Sequence, residues 1–117
     1  MAEVEECIFC KVVRGKISAY ILYKDDHVVA FHDINPQAPV HILVVPTKHI
    51  PDLEAIETSE GDIVTRMFQI AAKVAGDLRF ANNGYRLVLN NGRSAGQLVP
   101  HLHLHMLSGR KFTWPPG

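Results

Sequence analysis

The sequence predicts an α+β fold: about five strands in a mainly antiparallel sheet, accompanied by two helices. Three observations lead there. A long central stretch carries apolar residues at helical spacing, several short β-branched runs are separated by turn residues, and a late segment alternates histidine with apolar residues at a period of two.

Taken in order, residues 8–15 suit a short first helix ending at Gly15. Residues 20–24 and 27–32 read as two strands around an Asp25-Asp26 turn, hence a hairpin. Residues 41–45, His-Ile-Leu-Val-Val between Pro39 and Pro46, form a continuous apolar run and are expected as a central strand covered on both faces. Residues 59–78 are the second helix, with Ile63, Met67, Ile70, Ala71, Val74 and Leu78 on its core face. A second row, Val64, Phe68, Ala72 and Ala75, widens the apolar stripe beyond what a surface helix of a small monomer needs and points to a subunit interface. Residues 85–89 and 101–107 complete the strand set.

The composition bounds the function. With 117 residues, 47% of them hydrophobic, the chain is expected to form one domain over residues 1–117. Twelve Lys and Arg balance twelve Asp and Glu without a basic cluster, so neither a nucleic-acid partner nor a membrane surface is expected, and the partner should be a small molecule. No apolar run approaches the length of a membrane span, and the acidic Met1-Ala2-Glu3-Val4-Glu5-Glu6 start is unlike a signal peptide; a cytoplasmic location is the expectation.

Chemistry concentrates in His101-Leu102-His103-Leu104-His105-Met106-Leu107. On a strand, Leu102, Leu104 and Met106 would face a core while His101, His103 and His105 share the opposite face. One exposed histidine means little, but three in strict alternation favour a site. His-x-His on one strand also suits a catalytic zinc, so a metal reading competes with a nucleophilic one. The preceding loop, residues 90–97, holds Asn90, Gly92, Gly96 and Gln97, and its glycines let backbone N–H groups approach an anion, although the same residues also suit an ordinary turn. Cys7-Ile8-Phe9-Cys10 has the spacing of half a tetrahedral zinc site, but could equally be two buried thiols or a redox pair.

The alternating histidines resemble the motif that names the histidine-triad (HIT) superfamily. The stretch from Phe31 through Asp33 to His41, the loop at residues 90–97 and the Trp114-Pro115-Pro116-Gly117 end resemble its Hint branch. The resemblance implies a HIT-like sheet that dimerises into a continuous ten-stranded one. It also implies hydrolysis of the P–N bond of purine nucleoside 5′-phosphoramidates, of AMP-amine or AMP-lysine type, with no cofactor required for catalysis. His103 would be the nucleophile, forming a nucleotidyl-histidine, while His105 would contact the α-phosphate and His101 and His41 would support them. Asp33 would accept from the ribose hydroxyls. Ile8, Phe9, Leu22, Phe31 and Ile34 would hold the base, with Asn90, Gly96 and Gln97 near the phosphate. Relatives with the same Cys-x-x-Cys bind a structural zinc through it and two histidines, which correspond here to His49 and His101. Leu98 stands where the branch usually has Ser, which removes a hydroxyl from the leaving-group side. Two other functions fit the same residues: a dinucleoside polyphosphate hydrolase using His103, and a nucleotide-binding interaction protein with little turnover.

Overall fold

The computed structural model describes residues 6–117. The first helix, α1 (Ile8–Val13), begins at Cys7, whose thiol caps it by accepting from the Cys10 amide at 3.4 Å. Phe9, Cys10, Val12 and Val13 turn inward, and Gly15, at φ +74°, follows the helix end. Strands β1 (Ile21–Lys24) and β2 (Val28–His32) form the expected hairpin. Asp25 shapes its turn, since one carboxylate oxygen accepts from the amides of His27 and Val28 at 2.7 and 2.8 Å.

Strand β3 (Val40–Pro46) pairs with β2 on one side and with β5 (Leu104–Ser108) on the other, the central position that its unbroken apolar run predicts. The short β4 (Arg86–Val88) closes the antiparallel order β1-β2-β3-β5-β4. Helix α2 (Gly61–Asp77) lies on one face of the sheet, where Met67, Ile70, Ala71, Val74 and Ala75 pack with Val28, Ala30, Ile42, Val44, Leu102, Leu104 and Met106. Leu78, expected on that core face, instead ends the helix and is largely exposed. On the other face α1 packs over Val29, Phe31, Leu43 and Val45, the alternate residues of the same strands.

The last strand begins later than its sequence pattern suggests. Its ladder with β3 runs only from Val44↔Leu104 to Val40↔Ser108. Before that point the chain has other partners: the Leu102 amide donates to the Ile50 carbonyl at 2.6 Å, and the His101 amide to the Val99 carbonyl at 2.8 Å. The reason lies opposite, at Pro46, which has no N–H to give a ladder and whose carbonyl is taken by the His101 ring at 2.8 Å. Beyond β5, Gly109 adopts φ +94°, and a Cβ there would come within 2.8 Å of Pro39, so the chain ends β5 against the entry to β3 with no room for a side chain.

Candidate active site

The face of the sheet under α1 opens into a cavity of about 450 Å³. Ile8, Phe9 and Val12 of α1, Phe31 of β2 and Leu43 of β3 form apolar walls. His41, His103, His105 and Asp33 supply the polar groups, and Asn90, Gly96, Leu98 and Val99 come from the loop before β5. Among the described residues, no Lys or Arg lines it.

The hydrogen bonds fix which nitrogen of each imidazole carries its proton. His103 Nδ1–H donates to the His101 carbonyl at 2.7 Å, so Nε2 of the neutral ring is a bare lone pair. His41 Nδ1 accepts from the Gln37 amide at 3.0 Å, so its proton sits on Nε2 and is donated to His105 Nδ1 at 2.9 Å. That leaves the proton of neutral His105 on Nε2, which has no partner among the described residues. The cavity therefore holds one nucleophilic nitrogen beside one N–H donor, on rings whose centroids are 4.9 Å apart.

Burial keeps these rings neutral. It pushes His103 below its usual value near 6.5, against the opposing pull of the His101 carbonyl and Asp33. Burial, reinforced by His103 and His41, takes His105 down to about 4. His41 is also lowered by burial, with Asp33 opposing from 3.4 Å. Asp33 is held in place because its other carboxylate oxygen accepts from the Asn35 amide at 2.8 Å.

The HIT domain family matches residues 14–112. The chain belongs to the HIT family. It is 48% identical, over 97% of its length and 98% of the relative's, to a HIT-like protein of Synechocystis. It is 45% identical to the purine nucleoside phosphoramidase of Escherichia coli K12, over 91% of this chain and 89% of that one. Its structure superposes with a TM-score of 0.92 on a histidine triad protein from Clostridium difficile, at 45% identity and covering 96% and 97% of the two chains. A HIT family hydrolase from Legionella pneumophila gives the same TM-score at 41% identity, covering 96% and 100%. These relatives support a hydrolase, and the five-stranded antiparallel sheet with two helices is the HIT fold.

Within this HIT chain, Ile8, Phe9, Phe31, Ile34, Asp33, Asn90, Gly96, His41, His103 and His105 all line the one cavity. Three expected residues do not. Leu22 packs on the α2 side, because the register of β1 shifts between Ile21 and Tyr23 and the irregularity turns both Leu22 and Tyr23 to that face. Gln97 is scaffold: its amide donates to the carbonyls of Pro51 and Val99 at 2.7 and 3.2 Å, and its oxygen accepts from the Gly92 amide at 2.8 Å. His101 is completely buried and turned away from the cavity. Conversely, Val12 and Leu43 were not anticipated, although helical spacing from Ile8 and strand alternation from His41 both point to them. Ile17 and Ala19, in the irregular chain after α1, carry no such signal. Ile34 and Leu98, each 90% exposed, are the most exposed large apolar side chains among the described residues, and both lie at this cavity.

His101 faces the cysteines instead. Its Nε2–H goes to Pro46, leaving Nδ1 as a lone pair 3.3 Å from Cys7 Sγ and 3.6 Å from Cys10 Sγ. His49 Nδ1 lies 3.3 Å from Cys10 Sγ, and the four donor atoms are all within 4.8 Å of one another. Sulfur and nitrogen ligands around tetrahedral zinc stand about 3.6 Å apart, so Cys7, Cys10, His49 and His101 could hold that ion. The hydrogen bond from His101 to Pro46 is the kind of outer contact that orients a metal-binding imidazole.

Proposed function

We propose that the chain is a purine nucleoside phosphoramidase, hydrolysing the P–N bond of AMP-amine or AMP-lysine substrates through a nucleotidyl-His103 intermediate. The observation that carries this reading is the tautomer of His103: with Nδ1–H tied to a backbone carbonyl, Nε2 is the lone pair available in the cavity. The base would lie between the walls formed by Phe9, Phe31 and Ile34, and the ribose hydroxyls would donate to Asp33.

His103 Nε2 attacks the α-phosphorus, and a P–N bond to the enzyme forms as the substrate P–N bond breaks. The departing nitrogen keeps that electron pair, takes a proton from water at the cavity rim and leaves as the amine. The imidazolium formed on His103 is stabilised by the His101 carbonyl, and His105 Nε2–H donates to a phosphate oxygen. Water then attacks phosphorus, the bond to His103 breaks with its pair returning to Nε2, and the proton that the water sheds replaces the one consumed. The products are AMP and free amine.

A cavity without described Lys or Arg suits this leaving group better than a polyphosphate, whose several negative charges would need cations. Leu98, exposed at the rim, provides no hydroxyl to the amine, so proton delivery from water is assigned to this step. The relative's name, purine nucleoside phosphoramidase, supports the substrate class. Catalysis needs no cofactor on this reading, and zinc is reserved for the Cys7, Cys10, His49 and His101 cluster.

Homodimerisation and a cytoplasmic location are part of the same proposal. Phe68 and Ala72 leave an apolar strip on α2 uncovered, and β4 is an edge strand, so a two-fold partner would join two sheets into ten strands. No helix among the described residues is long and apolar enough to cross a membrane.

The test is to incubate purified protein with an adenosine phosphoramidate. AMP release by the wild type, with an adenylylated protein seen by mass spectrometry and both lost in His103→Ala, is the expected result. Turnover that survives in His103→Ala would overturn the mechanism.

A further inference from the structure

Between the Cys/His cluster and the cavity stands a single short element. Helix α1 has six residues, too few to persist on their own, and its N-cap is the Cys7 thiol itself. Whatever fastens the two cysteines therefore fastens α1. The residues between those cysteines are Ile8 and Phe9, both cavity walls. The Phe9 ring meets His103 edge-on at 5.0 Å, and His101 and Phe31 each at 5.8 Å. A second connection runs through one residue: the His101 ring faces the cysteines, while its backbone carbonyl holds the Nδ1 proton of His103 at 2.7 Å.

We infer that zinc binding at Cys7, Cys10, His49 and His101 and nucleotide binding in the cavity are reciprocally and positively linked through α1 and His101. The inference rests on the nucleotide-binding reading above. Both ligands need α1 in place and the chain at His101–His103 set in the geometry described. The first to bind bears the cost of ordering them, and the second then binds more tightly. Linkage requires the same factor in each direction, and couplings of this kind are about 5- to 150-fold. The cluster would then set the nucleotide affinity of a cavity that none of its four side chains lines.

The experiment measures both arms on the full chain. AMP affinity is taken by calorimetry for zinc-loaded and metal-stripped protein. Zinc affinity is taken by competition with a chromophoric chelator, with and without saturating AMP, subtracting zinc bound by AMP alone. The expected result is an AMP affinity about tenfold tighter in the loaded protein, matched by an equal tightening of zinc by AMP. Hydrogen exchange of the α1 amides should slow with either ligand. In Phe9→Leu, zinc should still bind while the linkage factor falls towards one.

Equal AMP affinities in the two forms, absence of stoichiometric zinc, or a full linkage factor in Phe9→Leu would each overturn the inference and leave the hydrolase reading standing. A stripped chain that is unfolded by circular dichroism would overturn it too, because zinc would then act on folding as a whole. AMP that binds neither form would bring down the nucleotide-binding reading together with the inference.

Discussion

The two faces of the sheet are used differently. The face under α2 is filled mainly by aliphatic residues and methionine, with buried Phe80 and half-buried Tyr23 and Tyr85 packed among them. The face under α1 carries the same strands' alternate residues, but there the packing is interrupted by two thiols, the imidazoles of His41, His49, His101, His103 and His105, and an open cavity. The difference teaches that one layer supplies the stability on which the other can keep thiols and imidazoles beside an open cavity. Substitutions should accordingly separate into those that stop turnover and those that unfold the chain.

The largest effect is expected at His103. His103→Ala should lower kcat/KM by about 10⁴-fold or more, as loss of the proposed nucleophile would, while its thermal midpoint stays near that of the wild type. An equal loss in stability would break the division between the faces. Met67 is the counterpart on the α2 side, completely buried among aliphatic neighbours. Met67→Ala should cost about 2–5 kcal/mol in denaturant unfolding, while the fraction that remains folded keeps its kcat/KM. A collapse of turnover in that folded fraction would show that the α2 layer reaches into the chemistry.

A smaller effect is expected where α2 meets the β1-β2 hairpin. Asp25 accepts from Tyr23 Oη at 2.7 Å and from Arg66 Nε and Nη2 at 2.8 and 2.6 Å. Burial alone would raise its carboxyl, but the Tyr23 hydroxyl, the His27 and Val28 amides and Arg66 together hold it well below the usual carboxylate range. Asp25→Asn should cost about 1 kcal/mol near neutral pH, given a partly exposed pair. The contribution of this depressed carboxyl is complete above its unfolded value, about pH 4, and is lost as pH falls below that towards the folded value. A variant whose stability difference from wild type stays constant across that acid range would contradict the assignment.

The effect on the α1 side is confined to acid pH. His105 is held down to about 4 from a usual value of 6.5. Between those values the unfolded chain binds a proton that the folded chain refuses, so stability should decline as pH falls from about 6.5 to 4 and then level off. His105→Gln should flatten that part of the profile, as read by denaturant midpoints at a series of pH values. A profile unchanged by the substitution would remove His105 as its source.

What could be read in advance followed the same division. Regular periods revealed β3 as the central strand, the core row of α2 and the placing of His101, His103 and His105 opposite Leu102, Leu104 and Met106, because burial imposes those periods on any sequence that folds this way. Departures from period stayed hidden. The irregularity that turns Leu22 away from the cavity has no marker at Ile21 or Tyr23, since each suits either face. The late start of β5 depends on Pro46, far away in sequence, and the polarisation of His41 depends on the backbone amide of Gln37, which no side-chain identity reveals. Gln97 looked like a ligand because an exposed loop amide and a loop brace have the same composition. The cluster of Cys7, Cys10, His49 and His101 was named through family resemblance, and the structure brings its four donor atoms together.

Gly109 gives the site a boundary well outside it. Any side chain there would meet both an unfavourable φ and the Pro39 ring. Relief by moving Pro39 would drag the neighbouring start of β3, and with it His41, whose grip on His105 is a single 2.9 Å hydrogen bond. A saturation-mutagenesis map scored by turnover would therefore show intolerance at a position outside the cavity, and a designer grafting these histidines onto another sheet would have to copy that bare backbone along with them.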